Sequence, residues 1–85
     1  MQKEVYLKRM IKNLPTLRAS LKLSQKDVAE KIGISRQTVV AFESGKRPLV
    51  WNTYLALVFV FLVNEKSKII MDLFEIFNDD LVKVK

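Results

Sequence analysis

The run from Ser24 to Gly45, SQKDVAEKIGISRQTVVAFESG, dictates two short helices that meet at a sharp corner. With Gln25 as the first helical residue, apolar or small side chains fall at Val28, Ala29 and Ile32, and beyond Gly33 at Ile34, Val39 and Phe42. These are the intervals of two buried helix faces. Ala29 stands where the second helix must cross close overhead, so a larger side chain there would push the pair apart. Gly33 is placed to end the first helix, because a left-handed backbone costs least in a residue without a Cβ. Ile34 can plug the corner from inside, and Ser35 can cap the second helix.

Helix, tight corner and second helix at this spacing make a helix-turn-helix, a motif whose second helix can lie in the major groove of DNA. Around it stand Leu17-Arg18, Ser24-Gln25, Val28-Ala29, Gly33-Ile34-Ser35, Val39, Phe42-Glu43, Gly45 and Pro48. On these residues the chain resembles the lambda-repressor-like (Cro/C1, XRE-type) helix-turn-helix DNA-binding family over Leu17 to about Leu57. The upstream arginine, the Ser-Gln start and the Glu-x-Gly ending add specificity that a bare helix-turn-helix lacks. The resemblance implies an all-α, lambda-repressor-like domain whose partner is double-stranded DNA; the apolar spacing along the whole chain predicts five helices, or six, the last a C-terminal extension beyond the family core.

It also implies roles for individual residues. Arg36, Gln37 and Thr38 occupy the opening turn of the second motif helix, the part that reaches deepest into the groove. Arginine suits the O6 and N7 acceptors of guanine and glutamine the N6 and N7 of adenine, each through two hydrogen bonds to one base edge. Val40 and Ala41 complete the base-facing set, with methyl contacts only. Gln25, Ser35, Lys46 and Arg47 are the expected phosphate contacts. For Gln25 a local capping role beside Ser24 is the alternative, and for Lys46 and Arg47 simple solvation of loop charges. Arg18 and Glu43 are expected to form a structural ion pair that fixes the helices and does not touch DNA.

Charge is distributed in keeping with this. Residues 1–50 carry eleven Lys/Arg against four Asp/Glu, a balance of +7, while residues 51–85 carry four against five, a balance of −1. The basic half coincides with the motif, as a phosphate-facing half should. With no Cys and no His, a disulfide framework, a zinc finger or a thiol nucleophile is excluded. Asp79-Asp80 reads as a solvated helix end and stands beside no other catalytic candidate. No enzyme, cofactor or metal site is expected.

The start MQKEVYLKRMIKN has neither the apolar core nor the cleavage site of a signal peptide. Leu49 to Val63 is a fifteen-residue run whose only polar side chains are Asn52 and Thr53. It falls short of the roughly 20 apolar residues a membrane span requires, so a fully buried helix is expected, in a cytoplasmic protein. The β-branched and aromatic Val58-Phe59-Val60-Phe61 would also suit a buried strand; the length of the run favours a helix.

A single domain is expected over residues 1–85, with a family core at about 13–63 flanked by an extra N-terminal helix at about 3–13 and a C-terminal one at about 67–78. Leu7, Met10, Ile11 and Leu14 share one face of the first helix. Pro15 predicts a kink or a break there, with Asn13 as cap of a new helix running to about Leu21. The motif helices are expected at Gln25–Ile32 and Arg36–Ser44, the next helix at Trp51–Val63. The last is expected at Ser67–Phe77, with Ile69, Ile70, Leu73, Phe74 and Phe77 on one face.

The C-terminal third carries more apolar surface than one small core readily hides. Trp51, Tyr54, Phe59, Phe61 and Phe74 are the candidates for a homodimer interface; packing on the N-terminal helix is the alternative. One recognition helix reads few base pairs, which favours a two-fold dimer on spaced half-sites. The most direct function is a sequence-specific transcriptional regulator, in its simplest form a repressor occupying an operator. The alternative is an antitoxin or protein-interaction module that uses the same DNA-binding core to hold a partner protein.

Overall fold

The computed structural model describes residues 3–83. The outermost residues of the expected 1–85 domain, 1–2 and 84–85, lie outside that range. Among the described residues there are five α-helices and no strand: α1 (Lys3–Ser20), α2 (Gln25–Ile32), α3 (Arg36–Glu43), α4 (Trp51–Leu62) and α5 (Glu65–Leu73), followed by a single 3-10 turn at Asp79–Leu81. Helix α1 is the spine, with α3, α4 and α5 packed along it. Helix α2 lies across α3 and touches α4.

The core follows from the helical spacing. Met10, Leu14 and Leu17 of α1 meet Val28 and Ala29 of α2, Val39 and Phe42 of α3, and Tyr54, Leu57, Val58 and Phe61 of α4. Met71 of α5 and Ile76 beyond it close the bottom, and Leu49 seals the side from the loop before α4. Tyr54, Leu57, Val58 and Phe61 recur at steps of three, one and three, so the apolar run at 58–61 is helical and sends only part of itself inward. No helix among the described residues is long and apolar enough to cross a membrane.

Three expectations are corrected. First, α1 neither breaks nor restarts at Pro15; it runs unbroken for eighteen residues with the proline inside. Leu14 and Leu17, on either side of it, are buried against the other helices, and that tertiary packing outweighs the missing N–H. Asn13 caps nothing: its side-chain amide donates to the Arg9 carbonyl one turn back, at 2.8 Å.

Second, α5 starts earlier and stops earlier than its apolar residues suggest. Asn64 precedes its first turn, and Ser67 sits inside the helix, its buried hydroxyl donating to the Phe61 carbonyl at 2.7 Å. After Leu73 the chain turns through Phe74 and Glu75, the latter at φ 51. The face turned inward therefore carries Ser67 and Met71, while Ile69 and Leu73 are 66% and 72% exposed. Ile76 reaches the core from outside the helix, held by its N–H to the Met71 carbonyl at 2.9 Å and by the Tyr54 hydroxyl donating to its carbonyl at 2.7 Å. Burial raises the Tyr54 hydroxyl pKa well above its ordinary value.

Third, Tyr54 and Phe61 are fully buried within one chain. Their rings fill the space between α1, α4 and α5, which removes both from any surface a second copy could touch. Trp51 is half-buried, its ring stacked on Tyr54 at 4.8 Å with the Lys3 ammonium 4.8 Å from its centre. Phe59 and Phe74 stay on the surface. The motif helices differ from expectation only at one end, since Ser44 and Val63 are the residues that follow α3 and α4.

Candidate nucleic-acid interface

Each end of α2 is closed by its own sequence. The Ser24 hydroxyl accepts from the Asp27 N–H at 3.0 Å, and the Asp27 carboxylate accepts from the Ser24 N–H at 2.9 Å. This reciprocal box satisfies two donors of the exposed first turn. The Ser24 N–H, and after it the Ser24 hydroxyl, hold the Asp27 carboxyl below the usual carboxylate range. At the other end Gly33 takes φ 77, and the Ile34 N–H reaches back to the Ala29 carbonyl at 3.0 Å. A Cβ on Gly33 would meet nothing within 4 Å, so the glycine is required by its dihedral and not by crowding.

The corner delivers α3 with a capped, open first turn. The Ser35 hydroxyl accepts from the Thr38 N–H at 3.1 Å and lies 2.8 Å from the Thr38 hydroxyl. Whichever of the two hydroxyls donates across that contact, the other keeps its proton for an outside acceptor. Arg36 and Gln37 are exposed, and Val40 one turn on is 38% exposed. Thr38 and Ala41 are half-buried at the edge of this face. Val39 and Phe42 point the opposite way, into the core. Thus α3 offers an outward strip of one guanidinium, one amide and methyl groups.

Glu43, at the last turn of α3, joins three helices. Its two oxygens accept from Arg18 Nε at 2.8 Å and Arg18 Nη2 at 3.0 Å, and Gln25 Nε2 donates to Oε1 at 3.1 Å. A third Arg18 donor, Nη1, reaches the Leu23 carbonyl at 3.2 Å. Gln25 does not cap α2, since Ser24 and Asp27 do that. Its side chain is instead held across α3, with one amide hydrogen left for an acceptor outside. Arg18, Ser24, Gln25, Lys26 and Arg36 line one shallow recess between the starts of α2 and α3. Lys26 was absent from the sequence-based contacts; its place one residue into α2, beside Gln25, is the signal that would have included it.

The loop after α3 carries the remaining cations. Gly45 has φ 79, and the N–H groups of Lys46 and Arg47 both converge on the Ala41 carbonyl, at 3.0 and 3.2 Å. Both side chains are exposed, and the Arg47 guanidinium lies 5.9 Å from the centre of the Phe42 ring. Arg36, Gln37, Lys46 and Arg47 therefore flank α3 at its two ends. Among the described residues no cluster of acidic side chains could hold a metal ion.

Comparison with known proteins agrees with this geometry. Residues 16–49 match the helix-turn-helix family, the span from the middle of α1 to the loop before α4. A relative in Methanocaldococcus jannaschii, described as an uncharacterized HTH-type transcriptional regulator, is 49% identical over 37 residues, covering 44% of this chain and 56% of that protein. The chain thus aligns with little more than half of that relative's length. No solved structure matches the chain significantly.

Proposed function

We propose that this chain, whose residues 16–49 match the helix-turn-helix family, is a cytoplasmic transcriptional regulator of the XRE type, acting as a repressor through sequence-specific binding of duplex DNA. The observation that carries the reading is the exposed opening turn of α3. Arg36 and Gln37 project from a capped helix start and form no ion pair or side-chain hydrogen bond among the described residues, while Val39 and Phe42 anchor the same helix from behind. Arg36 and Gln37 read base edges, Val40 and Ala41 meet thymine methyls, and Thr38 serves either a methyl or a phosphate. Gln25, Ser35, Lys46 and Arg47 hold the sugar-phosphate strands on either side.

A single domain of this size reads one half-site, so the operator calls for two copies. Support for a second copy comes from the apolar side chains left outside the core: Phe59 and Phe74 of the original candidates, with Val63, Ile69 and Leu73. Phe59 on α4 and Val63, the residue that follows the helix, line one recess with Leu21 and Leu23.

Selection of binding sites from random DNA tests the reading. A consensus with two-fold symmetry is the expected result, and recovery of no preferred sequence overturns it. Sedimentation with and without the selected duplex tests the dimer. A strict monomer in both states overturns that part and leaves the apolar surface to a different protein, the antitoxin-like alternative.

A further inference from the structure

Between the N-terminal half of α1 and the loop after α3 runs a groove of about 510 Å³. Its floor is apolar, made by half-buried Leu7 and Ile11 and buried Leu49, and exposed Lys8, Lys12 and Arg47 stand along its rim. Glu4, one turn before Lys8, is the one acidic side chain that lines it. We infer that Lys8 and Lys12 extend the phosphate-contacting strip of Lys46 and Arg47 onto α1, so that cations on both walls of this groove follow one sugar-phosphate strand. The inference rests on the reading that α3 docks on DNA.

The other cations of α1 are already engaged. Arg9 donates to the Glu75 carbonyl at 3.1 Å and covers the Tyr6 ring, Arg18 is tied to Glu43, and Lys3 lies over Trp51. Lys8 and Lys12 form no ion pair among the described residues. They lie one turn apart on the same face, a spacing at which like charges weaken a helix unless an anion lies between them. The floor beneath them offers almost nothing that could hydrogen-bond, so recognition at this groove is by charge at the rim. The rim is continuous with Arg47, which belongs to the loop that flanks α3. Duplex DNA, with one negative charge per ~1.7 Å of axis, presents the row of anions that such a row of cations fits.

The test uses the full chain and the Lys8→Gln/Lys12→Gln double variant, with circular dichroism to verify that the helices are retained. Affinity for a selected duplex and for an unselected one is measured across a sodium chloride series. The expected result is a dependence of log K on log salt that is shallower by about two units on both duplexes, at ~0.9 per phosphate contact. A Lys66→Gln/Lys68→Gln control, with Lys66 beside Ser20–Lys22 at the far end of α1, should keep the wild-type slope. An unchanged slope in the Lys8/Lys12 variant, or an equal fall in the control, overturns the inference while DNA binding by α3 stands. Decanoate binding that the Lys8/Lys12 variant loses, with its DNA slope unchanged, assigns the groove to small amphiphilic anions and likewise overturns it. A wild-type chain that binds neither duplex overturns the DNA reading itself.

Discussion

Arg18 and Gln25 donate to the same oxygen of Glu43, at 3.0 and 3.1 Å, although they belong to different helices. One carboxylate at the end of α3 thereby sets the positions of α1 and of the start of α2. The residues that would meet DNA from α2 and those that would meet it from α3 are held to one reference point. Because Gln25 is fixed by its contact with Glu43, its remaining amide hydrogen needs little further ordering when a phosphate approaches. Stability and recognition therefore share this carboxylate.

Removing it should cost stability. The side chains of Arg18 and Glu43 are 19% and 10% exposed, between a surface pair and a fully buried one. Glu43→Gln and Arg18→Met should each destabilise by about 2 kcal/mol, more than an exposed pair and less than a dry one. The double variant should lose less than the sum, because each single change leaves its partner's charge poorly matched. Urea unfolding of the four proteins measures the coupling; additive losses would show that the contact contributes nothing.

Base reading and phosphate holding should separate by mutation. Gln37→Ala should lose ~1–3 kcal/mol of discrimination at one or two base pairs, with the salt dependence unchanged. Arg47→Ala should weaken every duplex alike and make the salt slope shallower by about one unit. Equilibrium titrations on a panel of single-site operator variants distinguish the two. Identical profiles for both proteins would refute the division of roles between α3 and the loop that follows it.

The capping box of α2 should give the domain a specific acid sensitivity. Asp27 is held below the usual carboxylate range by the Ser24 N–H, and then by the Ser24 hydroxyl. A group whose native pKa is lowered adds stability above its unfolded value, ~3.9 for Asp, and loses it as pH falls through the lower native value. Asp27→Asn should therefore be less stable than wild type at neutral pH, and the gap should close as pH drops from about 5 to below 3. Thermal unfolding of both proteins across that range is the measurement. A gap that stays constant would show that the contribution is not one of charge.

The buried hydroxyl of Tyr54 tethers the segment after α5. Tyr54→Phe leaves the Ile76 carbonyl without its 2.7 Å partner at a site that excludes water, for an expected loss of about 1–3 kcal/mol. Amide exchange should accelerate first in α5 and at Ile76, where the Met71 carbonyl holds the N–H. A variant with wild-type stability would mean that water reaches that carbonyl.

How far the chain could be read follows the same physics. The motif was legible because Ser24, Gly33, Ser35 and Gly45 each impose a backbone condition that few residues meet, and all four conditions agree with the apolar spacing. The Arg18–Glu43 contact was legible only through family likeness, since no local rule links residues 25 positions apart. Helix α5 departs from its apolar pattern because the seven apolar side chains from Ile69 to Phe77 outnumber the inward positions available. Which of them turn inward is decided by Tyr54 and Ser67, through contacts to carbonyls that a one-dimensional pattern does not contain. Lys8 and Lys12 drew no notice for a related reason: their neighbour Arg47 is close only after folding.

Locally Pro15 predicts a kink or a break, and the continuity of α1 through it makes a last prediction. Its ring removes the N–H that would donate to the Ile11 carbonyl and crowds that oxygen, at a typical cost of about 3 kcal/mol in a helix interior. The proline side chain is exposed, so no core contact repays that cost. It does restrict the unfolded chain, which offsets about 0.4–1 kcal/mol. Pro15→Ala should accordingly stabilise the domain by about 2 kcal/mol, raising the urea midpoint without altering the slope of the transition. Binding to the selected duplex should be unaffected, because Leu14 and Leu17 already fix the course of the helix on both sides. A destabilised Pro15→Ala variant would mean instead that α1 needs a bend at this point to reach α4 and α5.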